Sequence, residues 1–162
     1  MQHAYMSARS AGILLYQHRG GELQVLLAHP GGPYWQRRDA GAWTIPKGEF
    51  GDDEEPETAA RREFREELGV DAIGALQPLG EITQKAGKRV VAFALEGDFD
   101  CSTLRSNTFE IEWPPHSGRR KSFPEIDRVE WMDLAAARAK ILPAQVPLLD
   151  RLVALLTEPP QR

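Results

Sequence analysis

Apolar residues come in short blocks along this chain, and glycine or proline marks most of the borders. Ser10–His18 (SAGILLYQH) and Glu22–His29 (ELQVLLAH) are apolar runs separated by Arg19-Gly20-Gly21, which predicts two strands joined by a turn. A loop rich in Gly and Pro follows at Pro30–Gly41 (PGGPYWQRRDAG), then a brief predicted strand at Ala42–Pro46 and the turn-rich Lys47–Asp53. Pro56 suits the first turn of a helix, with acids around it to complement the positive end of the helix dipole. That helix should run to about Leu68, with Gly69 as its stop and Ala60, Phe64 and Leu68 as its core side. Leu76–Gln84 and Arg89–Glu96 read as strands, and Thr108–Trp113 (TFEIEW) alternates in period two. Pro114–Lys121 reads as a basic loop and Arg128–Met132 as a last short strand. Helical segments are expected at Leu134–Ile141 and about Pro147–Leu156. In the second, Leu148, Leu149, Leu152, Leu155 and Leu156 share one face, the pattern of core packing. No repeat or linker divides the 162 residues, so one domain over 1–162 is expected.

Composition narrows the class. With 41% hydrophobic and 27% charged residues, the chain has the balance of an ordinary globular protein. Cys101 is the only cysteine, which excludes an internal disulfide and makes a reducing compartment the natural expectation. Met1–Ser10 has no apolar signal core, and no apolar run reaches membrane-spanning length, so a cytoplasmic protein without a membrane partner is expected. No basic stripe suggests stable nucleic-acid binding.

The net charge of −4 becomes informative once it is located. Ile45–Val70 holds nine acids and four bases, a balance of −5, and the remainder of the chain is at +1. Glu63, Glu66 and Glu67 stand at i, i+3 and i+4 of the predicted helix, so their carboxylates converge within about a 100° arc. Clustered hard oxygen ligands suit magnesium or manganese, particularly when phosphates supply the remaining coordination. A solvated charged face, with Arg61, Arg62 and Arg65 as partners, is the competing reading of the helix taken alone.

The whole segment decides between them. Gly48–Val70 (GEFGDDEEPETAARREFREELGV) resembles the Nudix hydrolase signature at Gly48, Glu54, Arg62, Glu63, Phe64, Glu66, Glu67, Gly69 and Val70, without departure. The resemblance implies an α/β/α sandwich, with a mixed β-sheet between helices, and metal-dependent cleavage of a phosphoanhydride bond. It implies Glu66 and Glu67 as metal ligands and Glu63 as a further ligand or the base that activates water. A backbone carbonyl of Lys47 or Gly48 would add to the metal site. Arg62 would pair with Glu54 and orient Glu63, and Gly48 and Gly69 would be structural. The cofactor would be Mg²⁺ (or Mn²⁺), and the partner a small-molecule nucleotide.

Outside the signature, Glu110, Glu112, Glu125 and Glu130 compete as a late carboxylate ligand, with Glu125 best placed. Lys47, Arg37, Arg38 and the cluster Arg119, Arg120, Lys121 are candidate phosphate contacts, and Tyr34 and Trp35 candidate base-stacking platforms. Trp43 is expected in the core. Cys101 has no nearby His and reads as an ordinary residue. His3, His18, His29 and His116 show no metal-ligand spacing, although His116 lies in the basic loop. Trp43–Gly48 (WTIPKG) is similar to the approach to the signature in diadenosine polyphosphate hydrolases. The expected activity is therefore hydrolysis of a nucleoside diphosphate linked to another moiety, including a dinucleoside polyphosphate. The alternatives are a housecleaning (d)NTP pyrophosphatase and a non-catalytic nucleotide-binding module. The oligomeric state is left open.

Overall fold

A computed structural model describes residues 8–158. His3 lies outside the described residues. In chain order the elements are β1 (Arg9–Arg19), β2 (Glu22–Pro30), β3 (Lys47–Phe50), α1 (Pro56–Leu68), β4 (Gln77–Thr83) and β5 (Arg89–Glu96). After them come β6 (Thr108–Glu112), β7 (Arg120–Pro124), β8 (Ile126–Asp133), α2 (Leu134–Lys140) and α3 (Val146–Thr157).

The main sheet runs β4-β5-β1-β2-β8, with β3 joined to β1. It is mixed, because β1 and β5 are parallel whereas the remaining pairs are antiparallel. The middle of β1, Ala11–Tyr16, is apolar because both of its faces are buried there. Ala11, Ile13 and Leu15 face α1 in a core that also holds Ala59, Ala60, Phe64 and Leu68. Leu14 and Tyr16 face the opposite core with Trp43, Ile45, Leu148, Leu149 and Leu152 from the α2–α3 side. The sheet is therefore sandwiched between helices, as expected for the α/β/α class. Leu155 and Leu156 pack against the second core with part of their surface exposed. Among the described residues, no helix is long and apolar enough to cross a membrane.

Two expectations need correction. The strand expected at Ala42–Pro46 is reduced to single bridges, Ala28 with Thr44 and Trp43 with Ile141. The strand instead occupies Lys47–Phe50, where a turn was expected, pairing with Gly12–Arg9 of β1. Proline 46 lacks an N–H for a ladder, and the free edge of β1 takes the residues just beyond it. The expected loop Pro114–Lys121 also ends early, since Arg120 and Lys121 open β7. That strand pairs with β6 in the register Glu112 to Arg120 and Thr108 to Pro124. Three consecutive cations hid the alternation there. In the structure Lys121 pairs with Ile111 on one face and Arg120 with Glu112 on the other.

Candidate active site

Helix α1 begins at a proline and ends at Gly69, whose φ of 90° is left-handed. The backbone of Arg105 lies where a Cβ on Gly69 would project, so the position demands glycine twice over. The Gly69 N–H donates to the carbonyl of Arg65 at 2.8 Å, closing the last turn. These devices fix the angular phase of the helix and with it the direction of its three glutamates.

Glu63 and Glu67 are buried and Glu66 is partly exposed. The backbone N–H of Lys47, at the start of β3, donates to Glu67 Oε1 at 3.3 Å. The Glu63 carboxylate fills the space a Cβ on Gly48 would need, so the strand can approach α1 this closely only with glycine there. Arg62 is the hub of the junction. Its Nε and Nη2 donate to the two oxygens of Glu54 at 2.9 Å each, the fork geometry natural to guanidinium. Its Nη1 donates to Glu66 Oε2 at 2.7 Å and also to Glu63.

Electrostatics set this cluster apart. Burial, then the charges of Glu63 and Glu125, push the Glu67 carboxyl up to about 8. Glu63 is raised by burial against the lowering effect of Arg62, and Glu125 by burial and Glu66. Burial lowers the ammonium of Lys47, although Glu67 pulls the other way. Glu54 is lowered by its bonds to Arg62. The carboxylates thus crowd one another more than the local cations can offset, a donor set that fits a hard divalent ion. Among the described residues no three His, Cys, Asp or Glu side chains already form a closed cage. An ion here would therefore need phosphate and water oxygens as well, the usual situation for magnesium.

Of the four late carboxylates, the structure brings Glu125 to the helix glutamates. Its segment is anchored there, since Glu125 N–H donates to the Asn107 carbonyl at 2.8 Å and Asn107 N–H donates to the Glu66 carbonyl at 2.9 Å. Glu110 pairs instead with Arg120, Glu112 accepts from the N–H of Gly118, and Glu130 is exposed on β8. Arg120 thus has an exposed partner within the β6–β7 hairpin at 3.4 Å. Cys101 is partly buried with its thiol pushed up by burial, the reverse of an activated nucleophile. His116 sits at the hairpin tip with φ of 60°.

The loop between β2 and β3 turns its two aromatics apart. Tyr34 meets Trp113 edge-on at 5.4 Å, whereas Trp35 packs toward the α2–α3 core and carries the Arg38 guanidinium 5.3 Å above its ring. Trp35 and Arg38 line a cavity of about 490 Å³ with Gln84, Lys85, Leu142 and Pro143. Arg37 is exposed and does not line it. Gln145, fully buried, ties this cavity to the β3 approach. Its amide nitrogen donates to Gln84 Oε1 at 2.9 Å and to Thr44 Oγ at 2.8 Å, and its oxygen accepts from Ile45 N–H at 3.0 Å. The loop is held by His29, also fully buried, whose ring lies between the Arg38 carbonyl (2.6 Å) and the Asp127 carboxylate (2.8 Å). Trp43 is in the core, as expected, with its indole N–H donating to Asp39 at 2.8 Å. Sequence reading missed Gln145, Trp113 and the His29–Asp127 clamp. Only Trp113 left a signal, as the last aromatic of an alternating run before two prolines.

Comparison with known proteins agrees with this geometry. The NUDIX domain model matches residues 6–152. An RNA pyrophosphohydrolase of Rhodospirillum rubrum is 28% identical over 151 residues, covering 91% of this chain and 86% of its own. One from Bartonella henselae is 27% identical over 145 residues, covering 78% and 76%. Among solved structures, a C. elegans Ap4A hydrolase binary complex superposes with a TM-score of 0.62 at 22% identity, covering 92% of this chain and 97% of that one. The NUDIX domain of Shewanella oneidensis NrtR, complexed with ADP ribose, gives 0.64 at 17% identity, covering 94% and 90%. Given a domain match over nearly the whole length and a glutamate-bearing helix fastened to its glycine loop through Arg62, this chain belongs to the NUDIX domain family and is a Nudix pyrophosphohydrolase.

Proposed function

We propose that the protein hydrolyses a phosphoanhydride bond in a nucleoside diphosphate linked to another moiety, with a dinucleoside polyphosphate as the preferred class. The observation that carries this reading is the cavity of about 490 Å³ walled by Trp35, Arg38 and Lys85, joined through Gln145 to the Thr44–Ile45 segment that leads into β3 and the carboxylate cluster. An aromatic face with two cations suits a base and its phosphates, and the volume is in the usual range for small-molecule sites.

Glu66 and Glu67 would hold Mg²⁺ or Mn²⁺, with a carbonyl of Lys47 or Gly48 and, from the other side, Glu125. The ion, when bound, supplies neutralisation of phosphate charge and a more acidic attacking water. The water oxygen bonds to phosphorus, the bridging P–O bond breaks and the leaving phosphate departs. Glu63 serves as a further ligand or accepts the water proton. Lys47 would contact a phosphate through its ammonium, whose proton affinity is lowered by burial. Arg62 and Glu54 hold the loop to the helix and touch no substrate.

A second reading comes from the relatives named RNA pyrophosphohydrolase, since a 5′-triphosphate end offers the same anhydride chemistry. A kinetic panel of dinucleoside polyphosphates, 5′-triphosphorylated RNA and (d)NTPs, with products identified and metal removed by chelator and restored, tests the proposal. Highest kcat/KM on a dinucleoside polyphosphate supports it, and preference for triphosphorylated RNA or a single (d)NTP overturns it.

A further inference from the structure

The β6–β7 hairpin carries an aromatic and cationic face that the catalytic cluster does not use. Cross-strand register sets Phe109 opposite Phe123 and Ile111 opposite Lys121, and the Trp113 N–H donates to the Arg119 carbonyl at 2.9 Å. Alternation along each strand therefore gathers Phe109, Ile111, Trp113, Arg119, Lys121 and Phe123 on one face. That face is turned toward the loop after β2. The Phe109 ring lies against Gly32, and Trp113 meets Tyr34 edge-on at 5.4 Å. A small cavity of about 150 Å³ separates loop from hairpin, lined by Gly32, Gln36, Phe123 and Pro124.

Charge distinguishes the two faces. On the far face Arg120 is paired with Glu110. On the near face, among the described residues, Arg119 and Lys121 have no carboxylate partner, and Lys121 lies 5.4 Å above the Phe123 ring. Tyr34 is 63% exposed, whereas its neighbour Trp35 is half-buried against the core. Consecutive aromatics thus serve opposite sides of one loop, Trp35 the cavity with Arg38 and Lys85, and Tyr34 the hairpin with Trp113, Arg119 and Lys121. The hairpin root is Glu125, the late carboxylate of the cluster.

We infer that the Tyr34–Trp113 face of the hairpin is a second base-binding subsite, which takes the far nucleoside of a two-base substrate. The inference rests on the proposed reading of the site as one for nucleoside polyphosphates. A molecule with a base at each end and an anionic bridge matches two aromatic platforms, each with its own unpaired cations, that diverge from adjacent residues. A single mononucleotide leaves one platform unused. A longer RNA would call for a continued basic track, and the hairpin offers two free cations.

The test is equilibrium binding by calorimetry of two non-cleavable, methylene-bridged ligands, a dinucleoside tetraphosphate analogue and a mononucleoside tetraphosphate analogue. The wild-type protein should bind the two-base ligand roughly tenfold tighter, the scale of one base–aromatic stack. Trp113→Ala should bring that ratio near one, Trp113→Phe should keep most of it, and Lys121→Ala should reduce it without altering the melting temperature. Trp35→Ala should weaken both ligands in parallel and leave the ratio intact. Equal binding of the two ligands by wild type, or an unchanged ratio in Trp113→Ala, overturns the subsite. So does a Trp113 effect seen only with 5′-triphosphorylated RNA, which would make the occupant a nucleic acid chain. The readout needs no turnover, so failure of the hydrolysis panel rejects the proposed activity separately.

Discussion

The α1 junction and the loop–hairpin pair differ in how their cations are used. At the junction Arg62 has three carboxylate partners, and Glu63 and Glu67 are buried against the glycine strand. In the loop and hairpin, Arg37, Arg38, Arg119 and Lys121 are exposed and, among the described residues, lack carboxylate partners. The first region is determined from within and suits chemistry that must not vary in geometry. The second leaves its cations without such partners, which fits the ligand contacts proposed for it. Changes in the first should act on kcat and stability, and changes in the second on KM.

The sharpest way to break this division is Glu67→Gln or Glu66→Gln. Each should lower kcat by roughly a hundredfold or more, corresponding to the several kcal/mol a metal site supplies to a charged transition state. Steady-state kinetics with Mg²⁺ restored after chelation is the check. Wild-type turnover in either variant would remove that residue from the site.

Arg62→Ala and Glu54→Gln should affect stability and activity together. Loss of these charge-assisted bonds, which tie the loop to the helix, should lower Tm by several degrees. Thermal melting beside kcat measurement checks it. Lost turnover at unchanged Tm in both variants would mean that they act on the chemistry directly.

A pH series on metal-free protein sharpens the electrostatic side. The Glu67 carboxyl is raised from the ordinary 4.5 to about 8, so the folded state holds its proton more tightly than the unfolded chain. Below pH 4.5 both states are protonated and there is no penalty. As pH rises from about 4.5 to 8 the unfolded chain ionises first, and stability falls across that window. Glu67→Gln should flatten the fall, and Mg²⁺ should raise Tm more at pH 8 than at pH 5. A Tm independent of Glu67 and metal throughout would contradict the crowded-carboxylate description.

The smallest effects belong to the recognition loop. Trp35→Ala and Arg38→Ala should raise KM for a nucleoside polyphosphate by about tenfold, with kcat little changed, because they contribute binding common to ground and transition states. Arg37→Ala, outside the cavity wall, should change KM by about twofold or less. Equal effects from all three would make the loop a general electrostatic surface.

This contrast also explains what could be seen in the sequence. The junction lies within the 23 residues of Gly48–Val70, where helical geometry alone relates Glu63, Glu66 and Glu67 and local rules give Pro56 and Gly69 their roles. The loop–hairpin region is assembled from distant segments. Trp113 reaches Tyr34 only after a cross-strand register is set, and Gln145 contacts Ile45 across 100 positions. No local periodicity encodes such pairings. Glu125 stands out in the sequence by its place after the basic loop and just before a strand, but what brings it near the cluster is the backbone bond from Asn107 to Glu66.

Arg62 also stands between the carboxylates and any incoming ion. Its Nη1 already donates to both Glu63 and Glu66, so a divalent ion that takes these carboxylates competes with a covalently tethered cation. Metal uptake by the proposed ligands would then be an ion exchange inside the protein, in which one counter-ion replaces another. Apparent affinity would reflect the difference between two attractions, with the guanidinium, held by Glu54, within reach of the carboxylates whenever the ion departs.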